Sequence, residues 1–193
     1  MEFCRETKVH YPAALLLETM IERMEEIVPF LPNIASIETL TKKKHRDGTW
    51  EIVRRWEARA EQVPSVARRF LSAELLQWLD YALWVPAEYK VEWRQEPVYR
   101  AARGLYQCHG TNFFLPDSKD PNNTSRVRVS GFLEVHPERL PGVPAFLARR
   151  IAPQVEKFII RLIEPNLAEL AQGLETYLDR TPANRSKARR RPS

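Results

Sequence analysis

The sequence predicts an α+β fold in which a curved antiparallel sheet of about seven strands wraps around a long C-terminal helix. Three observations predict it. The middle of the chain, from Ile34 to Val135, alternates apolar and polar residues between short turn signals. The segment 145–179 instead carries apolar residues at steps of three and four, the strongest periodicity in the chain. The links between the strand-like runs are too short for crossovers, so neighbouring strands must run antiparallel.

Taken in order, residues 2–9 (EFCRETKV) alternate and form a first strand. Pro12 stands where a first helical turn begins. Leu16, Met20 and Met24, flanked by Leu17 and Ile21, make one apolar stripe on a helix of about 14 residues. Pro29 and Pro32 stop that helix. Residues 34–44 lead into His45-Arg46-Asp47-Gly48, a hairpin signal. Residues 49–60 return with Trp50, Ile52, Arg54 and Trp56 on one face. Residues 63–77 break the alternation and read as a short helix or an excursion. Strands follow near 78–85, 88–95, 103–115 and 126–135, with Gly104 and Gly110 as expected bends or bulges. The last run, 145–179, includes Val155, Phe158, Ile159, Leu162 and Ile163, and Pro153 and Pro165 are expected to bend it. Residues 1–180 form one domain, and 181–193 a disordered basic tail.

Composition narrows the function. The 193 residues are 44% hydrophobic and 28% charged, and no run reaches membrane-span length. The N-terminus lacks a leader pattern, and Cys4 and Cys108 have no metal or redox spacing, which points to the cytoplasm. Of the net charge of +5, all resides in the tail, through Arg185, Lys187, Arg189, Arg190 and Arg191. The remaining body is neutral, which argues against a dedicated nucleic-acid surface. Arg189, Arg190 and Arg191 could touch an anionic membrane transiently, and Arg149 and Arg150 could stand near a site entrance; a solubilising end and a solvated helix start are the plainer alternatives.

A long apolar helix face laid across a twisted sheet touches the rims more readily than the floor, and space can remain between them. The expected lining is Trp50, Ile52, Arg54, Trp56, His109, Phe113, Val129, Phe158 and Leu162, with Asn112 and Ser130 as further polar groups. Apolar walls with a few polar groups suit a hydrophobic ligand; the alternative is that the same side chains pack a dry core. The five tryptophans all fall in the sheet region and could line such a space or meet a membrane interface.

The order of elements, with FCRETKVHYPAALLLETM at the start, DGTWEIVRRWEA in a hairpin and TSRVRVSGFLEV as the last strand, resembles the START-like (Bet v 1-like, SRPBCC) helix-grip superfamily over residues 1–180. Within it, the pattern is similar to PRELI/MSF1-type lipid carriers and to bacterial polyketide cyclase and coenzyme Q-binding relatives. The resemblance implies a cavity beneath the C-terminal helix that binds a lipid or another hydrophobic small molecule, for carriage or sensing.

Catalysis has thinner support. Cys108 and His109 are adjacent in a strand and so point to opposite faces, which rules out a nucleophile–base pair between them. Asp80 sits in an apolar strand, either on a solvated face or as a buried acid of raised pKa. There is no phosphate loop and no metal-ligand spacing, so no cofactor or metal is expected. Two alternatives to a carrier stand: a cyclase- or dehydratase-like enzyme using Arg54, Asp80 or His109, and an interaction module acting through the basic tail.

Overall fold

The computed structural model describes residues 1–60, 76–139 and 169–181, with single positions at 144, 146, 147, 150 and 153. Seven strands form one sheet: β1 (Glu2–Val9), β2 (Ile34–Lys44), β3 (Trp50–Ala58), β4 (Gln77–Val85), β5 (Lys90–Pro97), β6 (Tyr106–Pro116) and β7 (Ser125–Val135). Their order is β1-β7-β6-β5-β4-β3-β2 and every pairing is antiparallel. The six strands β2 to β7 form the expected meander, and β1 returns to pair with β7 from Glu2↔Phe132 to Val9↔Ser125.

Local chemistry explains the turns. At the β2–β3 hairpin Gly48 takes φ +86°, and the Asp47 carboxylate accepts from the Thr49 backbone N–H (3.0 Å) and hydroxyl (2.7 Å). Edge strand β2 carries two register shifts and a run of exposed lysines, both of which discourage pairing with another sheet.

Gly104 is a turn residue, with φ +85°, and β6 begins after it. Gly110 does something else. It pairs with Gly131, and Phe3 and Trp93 stack over the two glycines at 6.4 Å between centroids. A Cβ on Gly110 would lie 2.6 Å from the Trp93 ring, and one on Gly131 2.6 Å from Phe3. The glycines therefore make room for rings rather than a bend.

The sheet carries its helical layer on one face, called inner below. Helix α1 (Ala13–Arg23) is shorter than the stripe suggests, because residues Met24–Phe30 tighten into a 3-10 helix with Pro29 inside it. Leu16, Leu17, Met20, Ile21, Met24 and Ile27 of this layer are buried against the sheet. The C-terminal helix α2 is described over 169–180, with Ala171, Leu174, Tyr177 and Leu178 buried.

Its named contacts reach the α1 layer as well as the core. The Tyr177 hydroxyl donates to Glu26 (2.5 Å), and its ring meets Phe30 edge-on at 6.1 Å. Gly173 lets α2 approach Phe30 and Leu31 so closely that a Cβ would stand 2.8 Å from Leu31 Cδ2. Tyr11 donates to Asp179 (2.6 Å) and Asn33 to Glu169 (2.7 Å). Pro153 is helical and exposed. Phe158, Leu162, Pro165, Arg149, residues 63–75 of the 63–77 excursion and residues 182–193 of the basic tail lie outside the described residues.

Candidate functional site

Strand alternation decides which side chains face the helical layer. On β3 they are Trp50, Ile52, Arg54, Trp56 and Ala58; on β4 they are Trp78, Asp80, Ala82 and Trp84. The register continues the face through Trp93 and Gln95 on β5, Tyr106, Cys108, Asn112 and Phe114 on β6, and Val127, Val129 and Leu133 on β7. Most of these are sealed apolar groups, including the stacked pairs Trp56–Trp78 (5.9 Å, 20°) and Trp84–Phe114 (6.3 Å, 30°).

One row across this face is polar. Arg54 on β3 stands beside Asp80 on β4, Asp80 beside Gln95 on β5, and Gln95 beside Cys108 on β6. Arg54 is 2% exposed, and burial pulls its guanidinium down to about 10, with Asp80, Glu25 and Glu22 resisting. Its Nη2 donates to the carbonyls of Met20 (2.8 Å) and Ile21 (3.0 Å), and Nε donates to the Thr39 hydroxyl (3.3 Å). Those carbonyls belong to the end of α1, where a helix presents unsatisfied acceptors and partial negative charge. Arg54 thus fastens α1 to the sheet.

Asp80 is the carboxyl of the row. Burial raises its carboxyl to about 6, against the opposing charge of Arg54 and a hydrogen bond from Gln95. Yet Asp80, Gln95 and Tyr106 keep part of their surface accessible, while the flanking residues Trp78, Ala82 and Cys108 are closed off. Burial likewise pushes the Cys108 thiol up to about 12, with Asp80's charge adding to it, and raises the Tyr106 phenol. Cys108 is therefore no nucleophile at neutral pH.

Next to this row lie two unpartnered donors. Among the described residues, the buried indole N–H groups of Trp56 and Trp78 have no hydrogen-bond partner, nor has that of Trp84. By contrast Trp93 donates to Asn112 (2.8 Å). A buried donor left unsatisfied costs about 1–3 kcal/mol.

The expected lining divides between the two faces. Trp50, Ile52, Arg54, Trp56 and Val129 lie on the inner face. Trp50 is half-buried beside a 300 Å³ pocket between α1 and the β4–β5 hairpin, with Lys42 and Lys44 over its ring at 5.0 and 5.3 Å. His109 and Phe113 share the opposite face, because they alternate with Cys108, Asn112 and Phe114. His109 is exposed there beside Phe132, at the border of an open outer groove of about 720 Å³. Ser130 is also an outer residue and donates to the Thr111 carbonyl. His109 accordingly cannot join Arg54 and Asp80 in one site. The solvated-face alternative for Asp80 is overturned, since it falls in step with Trp78 and Ala82.

Solved structures match this architecture along nearly its whole length. TTHA0849 from Thermus thermophilus superposes with a TM-score of 0.61 at 18% identity, covering 92% of this chain and 96% of its own. The Zhui aromatase/cyclase from Streptomyces sp. R1128 gives 0.62 at 13% identity, covering 95% and 97%. The chain has the Bet v 1-like helix-grip fold. Norcoclaurine synthase from Thalictrum flavum shares that fold at a TM-score of 0.57 and 12% identity, over 94% of this chain and 87% of its own. No protein-family model and no curated protein sequence matches the chain. Among the described residues no helix is long and apolar enough to cross a membrane, and no group of three or more His, Cys, Asp or Glu side chains could hold a metal.

Proposed function

We propose that the inner face of this helix-grip domain binds a hydrophobic small molecule, for carriage or sensing. The observation that carries the reading is the partly accessible Asp80–Gln95–Tyr106 group set in a wall of buried aromatic residues. A dry core would seal or omit such groups, because burying a carboxyl is costly even beside Gln95 and Arg54. A binding wall keeps them to orient a ligand. The aromatase/cyclase and norcoclaurine synthase neighbours support the use of this fold for small organic molecules.

Native mass spectrometry of gently purified protein tests the reading. It predicts a co-purifying apolar adduct, or saturable uptake of 8-anilinonaphthalene-1-sulfonate by stripped protein. A clean apo mass with no uptake removes it.

A second reading, an enzyme of cyclase or dehydratase type, is favoured by the raised carboxyl of Asp80, which suits a general acid or base. Its site would consist of Asp80 with Gln95 and Tyr106, without His109. We place the protein in the cytoplasm, which the two free thiols favour. Transient membrane contact through Arg189, Arg190 and Arg191 is a separate proposal; unchanged co-sedimentation with anionic vesicles after deletion of 182–193 would end it.

A further inference from the structure

Alternation sends every second strand residue to the outer face of the sheet, away from the described helices. The pairing registers sort these side chains into rows that cross the strands. One row runs Val53, Tyr81, Arg94, His109 and Phe132 from β3 to β7. The next runs Glu51, Leu83, Glu92, Thr111 and Ser130. The open groove of about 720 Å³ lies along these two rows and begins at Thr41 and Lys43 on β2. At His109 and Thr111 it meets a second groove, of about 500 Å³, that ends at Glu2 and Cys4 on β1. Together they make a trough across all seven strands, about 29 Å long at ~4.8 Å per strand.

The trough separates two ends of opposite charge. On the Tyr81 side stand Glu38, Glu57, Glu96 and Glu134 with Arg55, four carboxylates to one guanidinium. On the Leu83 side stand Lys8, Lys90, Arg126 and Arg128 with Glu6, four cations to one carboxylate. Ion pairs of Arg55 with Glu38, and of Glu6 with Arg126 and Arg128, are already inside these totals. Lys90 also meets Glu88 and Glu92, and Glu96 meets Arg94; neither reverses the sign of its end.

Such a surface is complementary to itself. A two-fold axis laid along the trough places each strand antiparallel over the same strand of a second copy. On β5 this sets Glu96 over Lys90, and Arg94 over Glu92, of the second copy. On β7 it sets Glu134 over Arg128. On β4 it sets Leu79 over Val85 and covers Leu83, which is 37% exposed, with Tyr81. An axis along the strands would instead lay like charge on like. The four central rows span roughly 29 by 27 Å, about 800 Å² per copy. Two copies would bury about 1,600 Å², the size of a stable specific interface.

We propose that two copies of this chain pair face to face through the outer sheet surface, with the trough at the centre and the acidic end of each copy on the basic end of the other.

Sedimentation velocity of the full chain tests this. In ~50 mM salt the wild type is expected to pass from monomer to dimer at micromolar concentration, and ~500 mM salt should weaken the association at least ten-fold. Glu96→Lys with Glu134→Lys makes both ends basic, and Lys90→Glu with Arg128→Glu makes both acidic. Each double variant alone is expected to be monomeric, while their equimolar mixture dimerises, because every contact again joins unlike charges. Leu83→Asp should weaken the dimer at least ten-fold at either salt; its position is already exposed, so it decides even where a charge reversal misfolds. A wild type that stays monomeric up to ~100 μM overturns the proposal and leaves the trough to a different partner. A dimer that Leu83→Asp leaves intact also overturns it, since that dimer forms through another surface. A mixture of the two folded double variants that stays monomeric refutes the end-over-end arrangement. The readout is mass, so the outcome is independent of any ligand on the inner face.

Discussion

Asp80→Asn tests the electrostatics of the inner face directly. In the folded chain burial raises the Asp80 carboxyl from 3.8 to about 6. The folded state therefore holds this proton over a range in which the unfolded chain has released it. The stability this contributes is complete below pH ~4 and is lost as pH rises through about 6. A rise of that size corresponds to roughly 3 kcal/mol of destabilisation once Asp80 is ionised. Asparagine keeps the shape and the hydrogen-bonding partner Gln95 but removes the titration. The variant is expected to be more stable than the wild type by about 2–3 kcal/mol at pH ~7.5, and the two should converge as pH falls toward ~4. Urea denaturation at half-unit intervals from pH ~4.5 to ~7.5 measures the difference. Glu6, Asp47 and Asp117, whose carboxyls are held low by hydrogen bonds, are common to both proteins and cancel. A difference independent of pH, or a variant less stable at the alkaline end, would refute the argument that Asp80 is desolvated.

Three further outcomes follow from the packing. Arg54→Met strands the Met20 and Ile21 carbonyls and leaves Asp80 without its neighbouring cation; a loss of about 3–4 kcal/mol, or roughly 10 °C in Tm by calorimetry, is expected. A loss under about 3 °C would mean that Arg54 does not fasten α1. Gly110→Ala drives a Cβ to 2.2 Å from the Ser130 carbonyl oxygen and into Trp93, so about 2–3 kcal/mol should be lost, with a changed near-ultraviolet circular dichroism of the tryptophans. Tyr177→Phe removes the hydrogen bond to Glu26 and should cost about 1 kcal/mol. Hydrogen exchange should show the loosening in residues 169–180 ahead of the sheet; uniform acceleration over β3 to β7 would argue against a local tie.

The strand order is legible in the sequence because strand signals are local. Alternation, the Asp47-Gly48 turn and short links leave few topologies beyond a meander. The boundary of α1 is less legible. Met24 continues the stripe of Leu16 and Met20, yet the chain tightens into a 3-10 helix there, approaching Pro29, which cannot donate to a helical turn. Gly110 shows the same limit. From sequence a strand glycine reads as a bend, whereas its cause lies on two other strands, in the rings of Phe3 and Trp93. Such a contact has no local signature.

The candidate site is easily misread from sequence, for a reason that alternation itself corrects. His109 stands out as the histidine inside a strand, but its neighbour Cys108 is the apolar partner that packs inward, and period two then sends His109 out. Asp80 is open to a solvated-face reading because carboxylates are seldom buried. Yet Trp78, Ala82 and Trp84 are spaced by twos and fours around it, so any register that buries those tryptophans must bury Asp80 with them. Gln95, two residues after Trp93, repeats the argument on β5. Two polar residues on adjacent strands, each in step with tryptophans, mark one spot on the inner face from spacing alone. What sequence cannot supply is the fate of Arg54. Its place in the row suggests an ion pair or a ligand contact, and only the crossing of α1 over β3 shows that its donors serve helix carbonyls instead. Burial then outweighs both the Arg54 charge and the Gln95 hydrogen bond, so the Asp80 carboxyl is raised to about 6 rather than held low.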